Sequence, residues 1–135
     1  MSLPRVGASV LIRRADGALA LIKRSREPGV GRWAVPGGYV ELGERLEQTV
    51  KREAAEETGL SVGDLSLLGV FDIVKRGEAC VTYHYISVCY RAGRVEGVLK
   101  AGPDVLEARW FLPTDLTEEM LTETTYRILK EAGVL

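Results

Sequence analysis

The stretch GYVELGERLEQTVKREAAEETGL, residues 38–60, decides how the chain folds and what it holds. From residue 45 to residue 58 it contains neither glycine nor proline, and Gly59 stands where a helix C-cap belongs, so the spacing predicts one helix. Residues three and four apart on a helix are neighbours, which crowds Glu53, Glu56 and Glu57 within about one turn. Three carboxylates so close repel one another unless a cation neutralises them. An all-oxygen set suits a hard ion such as Mg²⁺ or Mn²⁺. The bland alternative is a solvated acidic face. Against it, Leu46, Val50, Glu53 and Glu57 form a single stripe that starts apolar and ends acidic. If Leu46 and Val50 face the core, Glu53 and Glu57 face inward or toward a cleft. Gln48 and Lys51 take the solvent side, and Glu47 lies on the flank. Inward carboxylates are costly unless paired or metal-bound. Arg52, four residues before Glu56, is the nearest candidate partner.

Upstream of this helix, residues 6–14 and 18–23 read as strands around a turn at Asp16-Gly17, a hairpin signal. Residues 25–32 form a polar loop broken by Pro28, Gly29 and Gly31. Residues 33–35 form a short strand that stops at Pro36-Gly37-Gly38. Downstream, residues 66–74 and 79–90 are strand candidates joined at 75–78. Shorter strands are expected at 95–99 and 108–111. A second helix is expected over 117–132, with Leu121, Ile128, Leu129 and Ala132 on one face and Gly133 as its stop. Hairpin-linked strands before and between helices predict a mixed sheet covered by helices, an α/β fold.

The 135 residues suit a single domain, 1–135, with 46% hydrophobic and 27% charged residues. A net charge of -1 argues against a long nucleic-acid track and gives no broad pull toward a membrane. The apolar run at 6–12 is too short to span a bilayer and lacks a basic leader. Cys80 and Cys89 are not spaced as a zinc pair and read as reduced thiols. A cytoplasmic protein is expected.

The same stretch resembles the Nudix box: Gly, five residues, Glu, seven residues, Arg-Glu, an apolar residue, any residue, Glu-Glu, any residue, Gly, an apolar residue. The chain supplies Gly38, Glu44, Arg52, Glu53, Ala54, Glu56, Glu57, Gly59 and Leu60. Seven fixed identities at usual frequencies coincide at a given start roughly once in 10⁸. The strand–loop–helix context fits as well. The resemblance implies an α/β/α sandwich with a mixed sheet and a loop–helix–loop catalytic motif. It implies a metal-dependent pyrophosphohydrolase using Mg²⁺ or Mn²⁺. Glu56 and Glu57 would bind the metal with help from the Gly38 carbonyl. Glu53 would bind metal or act as general base, Arg52 would hold the glutamates, and Glu44 would support the helix start. Gly37-Gly38 would let the backbone pass close to phosphates.

Around the box, Arg24 is a candidate phosphate contact. Tyr39, Phe71 and Tyr83 are candidate base-stacking rings, Phe71 having core packing as its default. Glu107, ahead of Asp104 and Glu96, is the candidate extra carboxylate from a late loop. His84, in a strand between two tyrosines, reads as a packing residue. With Tyr83-His84-Tyr85, and with Ala101-Gly102-Pro103-Asp104 leading into Glu107-Ala108-Arg109-Trp110-Phe111, the chain resembles the small ADP-ribose pyrophosphatase-like group, which implies cleavage of ADP-ribose to AMP and ribose 5-phosphate. Residues 73–78 lack the proline that many such enzymes carry. Two alternatives therefore stay open: a MutT-like triphosphate pyrophosphohydrolase releasing pyrophosphate, and a non-catalytic nucleotide-sensing module. Capped or triphosphorylated RNA ends are disfavoured by the lack of basic excess. The expected partner is a small nucleotide, and a homodimer is common in the resembling group.

Overall fold

A computed structural model describes residues 3–135. Met1 and Ser2, which belong to the expected domain 1–135, lie outside the described residues. The strands are β1 (Arg5–Leu11), β2 (Leu19–Arg24), β3 (Trp33–Ala34), β4 (Gly37–Tyr39), β5 (Ser61–Arg76), β6 (Val81–Glu96) and β7 (Val105–Phe111). The helices are α1 (Leu46–Thr58) and α2 (Glu123–Glu131). Among the described residues, no helix is long and apolar enough to cross a membrane.

The strands form two sheets, one ordered β4-β1-β6-β5 and one ordered β3-β2-β7. The first is mixed, because β1 runs parallel to β6 and antiparallel to β4. The expected turn after β1 is present, with Arg14 N–H donating to the Ala18 carbonyl across Gly17. The strands it joins part into different sheets, so β1 ends at Leu11 rather than residue 14. Successive residues of β1 point to opposite faces. Ala8, Val10 and Ile12 pack with Val50 and Ala54 of α1, whereas Leu11 packs with Ile128 and Leu129 of α2. One helix therefore covers each side, which makes the fold an α/β/α sandwich.

Two expected boundaries move. β5 and β6 are each 16 residues long, so of the separate strand expected at 95–99 residues 95 and 96 are the end of β6 and residues 97–99 lie outside any strand. The two strands pair along nearly their whole length, and this continuous ladder absorbs the short segments that sequence patterning separates. The second helix starts at Glu123 rather than 117. Thr122 N–H donates to the Trp33 carbonyl and Leu121 bridges Trp33, which holds the chain extended there. The Thr122 side chain then caps α2 by accepting from Thr125 N–H. Leu121 is fully buried with Ile128 and Leu129 as expected, but from outside the helix.

α1 ends on Gly59 at φ 72°, where only glycine is comfortable. Its last carbonyls would otherwise be unpaired. Lys100 N–H donates to Thr58 and Gly102 N–H to Glu57, so residues 97–102 lie against this helix end. A Cβ on Gly102 would collide with the Glu56 carbonyl.

Candidate active site

Val50 is fully buried, Leu46 is partly buried, and the stripe continues into Glu53 and Glu57. Glu53 has only 15% of its side chain exposed, against 57% for Glu56. Glu53 and Glu57 thus look toward β4 and Glu56 looks outward. The last turn of α1 carries no basic residue. Acids at this end oppose the helix macrodipole, a further cost that a cation would offset.

Arg52 organises the upstream half. Its Nε and Nη2 donate to the two Glu44 carboxylate oxygens at 2.8 and 3.0 Å. Its Nη1 donates to Glu53 at 2.7 Å and to Glu56 at 3.4 Å. Its Nη2 also reaches the Tyr39 carbonyl. Glu44 additionally accepts from the buried Thr49 hydroxyl at 2.6 Å. The Arg52 guanidinium, helped by Thr49, holds the Glu44 carboxyl down at about 2. Burial pushes the Glu53 carboxyl up, against the pull of Arg52. Burial pushes Glu57 up to about 8, although Gly37 N–H and the charge of Arg24 favour its anion.

β4 meets these carboxylates at the sheet edge. Gly37 N–H donates to Glu57 Oε1 at 2.9 Å. A Cβ on Gly38 would lie 2.5 Å from Glu53 Cδ, so the carboxylate rests directly on the strand. Among the described residues, no three acidic, histidine or cysteine side chains already converge as a metal cage. Arg52 stands between Glu53 and Glu56, and Glu57 is drawn to Gly37. The donors nonetheless fit a hard divalent ion: they are all oxygen, Glu53 and Glu57 are half-buried with Glu57 outside the reach of Arg52, and they sit at the negative end of a helix.

A groove of about 520 Å³ opens on the other face of the sheet. Gly37, Gly38 and Tyr39 border it, while the glutamates do not. Arg24 lines it, with Nε fixed on the Pro28 carbonyl at 2.7 Å. Tyr39, Tyr85 and Tyr83 form a row with ring centroids 5.6 and 5.0 Å apart. The Arg5 guanidinium lies 3.5 Å from the centre of the Tyr39 ring.

Other candidates lie elsewhere. Phe71 is buried in the core with Trp33, Phe111 and Leu129, and it does not line the groove. Its site on β5 under α2 explains this, since the alternation that would aim it at a ligand aims it at the helix. Glu107 on β7 pairs with Lys23 at 3.5 Å and is also absent from the groove wall. Glu96 pairs with Arg94, and at Asp104 the backbone carbonyl accepts from Ser25. His84 stands opposite Val74 in the β5–β6 ladder. Sequence reasoning passed over Ser9, Arg32, Lys75 and Tyr85 as groove residues. Only Tyr85, as an aromatic beside Tyr83, carried any local signal.

Residues 3–132 match the NUDIX domain family. The chain belongs to the Nudix family. It is 42% identical over 108 residues to the ADP-ribose pyrophosphatase of Methanocaldococcus jannaschii, covering 80% of this chain and 62% of that protein's length. It is 31% identical over 131 residues to nucleoside triphosphatase NudI of Escherichia coli K12, covering 89% of this chain and 91% of that one. The crystal structure of a MutT NUDIX hydrolase from Burkholderia pseudomallei superposes with a TM-score of 0.85 at 35% identity, covering 96% and 98% of the two chains. The Nudix box therefore occupies residues 38–60 of this chain, spanning β4 and α1.

Proposed function

We propose that this Nudix protein is a metal-dependent pyrophosphohydrolase of a nucleoside diphosphate linked to another group, with ADP-ribose as its substrate. The carrying observation is the placement of Glu53 and Glu57 against a strand edge that carries no side chains, Gly37-Gly38, next to a groove wide enough for a nucleoside. The likeness to an ADP-ribose pyrophosphatase supports the substrate.

Glu53, Glu56 and Glu57, with the Gly38 carbonyl, are the residues that would hold Mg²⁺ or Mn²⁺. When bound, such an ion neutralises the diphosphate and polarises the phosphoryl group. Arg52 fixes the glutamates through its contacts to Glu44 and Glu53. Water attacks one phosphorus, the bridging P–O bond breaks, and Glu53 accepts the proton. Its burial brings its proton affinity nearer the working pH, which suits a base. Arg24 faces the same edge and gives the diphosphate a cationic contact.

The likeness to NudI along nearly its whole length favours a second reading, cleavage of a nucleoside triphosphate to a monophosphate and pyrophosphate. Incubation with ADP-ribose, other nucleoside diphosphate sugars and the nucleoside triphosphates, with products separated by chromatography, decides between them. The expected outcome is AMP plus ribose 5-phosphate, abolished by chelator and restored by Mg²⁺ or Mn²⁺. Pyrophosphate from triphosphates with ADP-ribose untouched would replace the first reading by the second. Full turnover in metal-free buffer would overturn the metal mechanism.

A further inference from the structure

The groove and the carboxylates lie on opposite faces of one sheet, and only β4 separates them. Its two glycines face opposite ways. A Cβ on Gly37 would lie 2.6 Å from the Ser9 Cβ, on the groove side, and a Cβ on Gly38 would meet Glu53 on the α1 side. The edge is therefore low on both sides. A diphosphate lying across it keeps one end at the glutamates and delivers the attached group into the groove.

The groove floor is cut by small residues of β1 and β6. Gly7 pairs with Ser87, and Ser9 pairs with Cys89 and with Gly37. Among the described residues, Ser9 Oγ is the one buried side-chain oxygen or nitrogen without a hydrogen-bond partner. Ser9 is only 8% exposed and lines the groove. The neighbouring Cys89 is close enough for the Ser9 hydroxyl to oppose the burial that pushes its thiol up to about 11, but the thiol hydrogen is directed to the Tyr90 carbonyl at 3.7 Å and no hydrogen bond of normal geometry joins the two side chains. A buried unpaired hydroxyl is a standing cost that calls for an explanation, and a ligand arriving in the groove removes it. The row Tyr39, Tyr85 and Tyr83, with Ile73 beside Tyr85, offers a flat heteroaromatic ring a surface to stack on.

We propose that the nucleobase of the substrate enters this groove and that the Ser9 hydroxyl is its hydrogen-bond partner, making Ser9 a specificity-determining residue. The inference rests on the pyrophosphohydrolase reading above. A hydroxyl both donates and accepts, so Ser9 is compatible with more than one base.

The test compares wild type with Ser9→Ala and Tyr85→Leu. Binding of AMP, GMP, CMP, UMP and ribose 5-phosphate is measured by calorimetry without metal, and kcat and KM are measured with Mg²⁺ on the best substrate. For Ser9→Ala we expect an unchanged or higher Tm, because an unsatisfied hydroxyl is removed. Affinity for at least one nucleoside monophosphate should fall roughly five- to tenfold, and KM should rise by a similar factor with kcat nearly kept. Tyr85→Leu should weaken the same nucleotide. Ribose 5-phosphate should bind weakly to all three proteins alike. Loss confined to kcat, unchanged nucleotide affinity in both variants, or a Ser9-dependent loss for ribose 5-phosphate instead would overturn the inference while wild-type turnover stands. Absence of wild-type turnover on every nucleotide would instead remove the reading it rests on.

Discussion

Glu57 and Glu47 share α1 and differ in what surrounds them. Glu57 is half-buried against Gly37, whereas Glu47 is exposed on the flank. Glutamine at 57 keeps the oxygen that Gly37 N–H meets and removes the carboxylate that a metal would bind. Glu57→Gln should therefore leave the metal-free Tm near that of wild type at neutral pH, where burial already keeps most of the Glu57 carboxyl protonated. Turnover with Mg²⁺ should fall by roughly a hundredfold or more. Glu47→Gln should change neither. Paired melts and rate assays read both, and near wild-type turnover in Glu57→Gln would sink the acidic stripe as the metal site. The contrast between these residues was visible in the sequence because helical spacing fixes which side chains share a stripe with Leu46 and Val50. Ser9 was not visible. What singles it out is a missing partner, and a missing partner exists only once Gly37, Cys89 and the groove are in place.

At the level of the element, the start of α1 is tied by Glu44, which joins Arg52 and Thr49 across the loop before the helix. Its carboxyl, ordinarily near 4.5, is held at about 2. A depressed acid stabilises the fold above its unfolded value and loses that contribution as pH falls through its folded value. Wild type should therefore lose stability between about pH 4.5 and pH 2 in part through Glu44. Glu44→Gln should be less stable than wild type at pH 7, and the gap should close as the pH approaches 2. Urea midpoints at several pH values measure it, and a pH-independent gap would mean that the tie to Arg52 is not what Glu44 contributes. α1 was legible almost to the residue because its caps and periodicity are local. The β-strands were legible as stretches but not as partners. β1 and β2 share a turn yet enter different sheets, and residues 95 and 96 belong to the long β5–β6 ladder, which short stretches of pattern divide. The start of α2 was set from a distance, by the pairing of Thr122 with Trp33.

For the whole molecule, the two cores decide what the metal is needed for. α1 is docked by Val50 and Ala54 against Ala8, Val10 and Leu60, independently of its acidic end. Arg52 already neutralises part of that end. Chelator should accordingly abolish activity while leaving the far-UV circular dichroism and a cooperative melt intact. Mg²⁺ at a hundred times its Kd should add about 2.7 kcal/mol to stability. Unfolding on chelation would mean that the metal is structural. The clasp of residues 97–102 on the end of α1 has a different consequence, for where this chain tolerates being cut or lengthened. Two connections look equally spare in the sequence: the glycine-containing turn at 77–80 and the glycine-containing turn at 97–102. The first is an exposed hairpin tip, closed by Gly77 N–H on the Cys80 carbonyl, and an inserted peptide or new chain termini there would disturb only the end of a ladder. The second holds the carbonyls of Glu57 and Thr58, so one residue added between Gly97 and Gly102 would pull on the backbone of Glu57, a proposed metal ligand. A fused reporter belongs at the first turn, and divergence in loop length among kindred chains should accumulate there and be purged from the second.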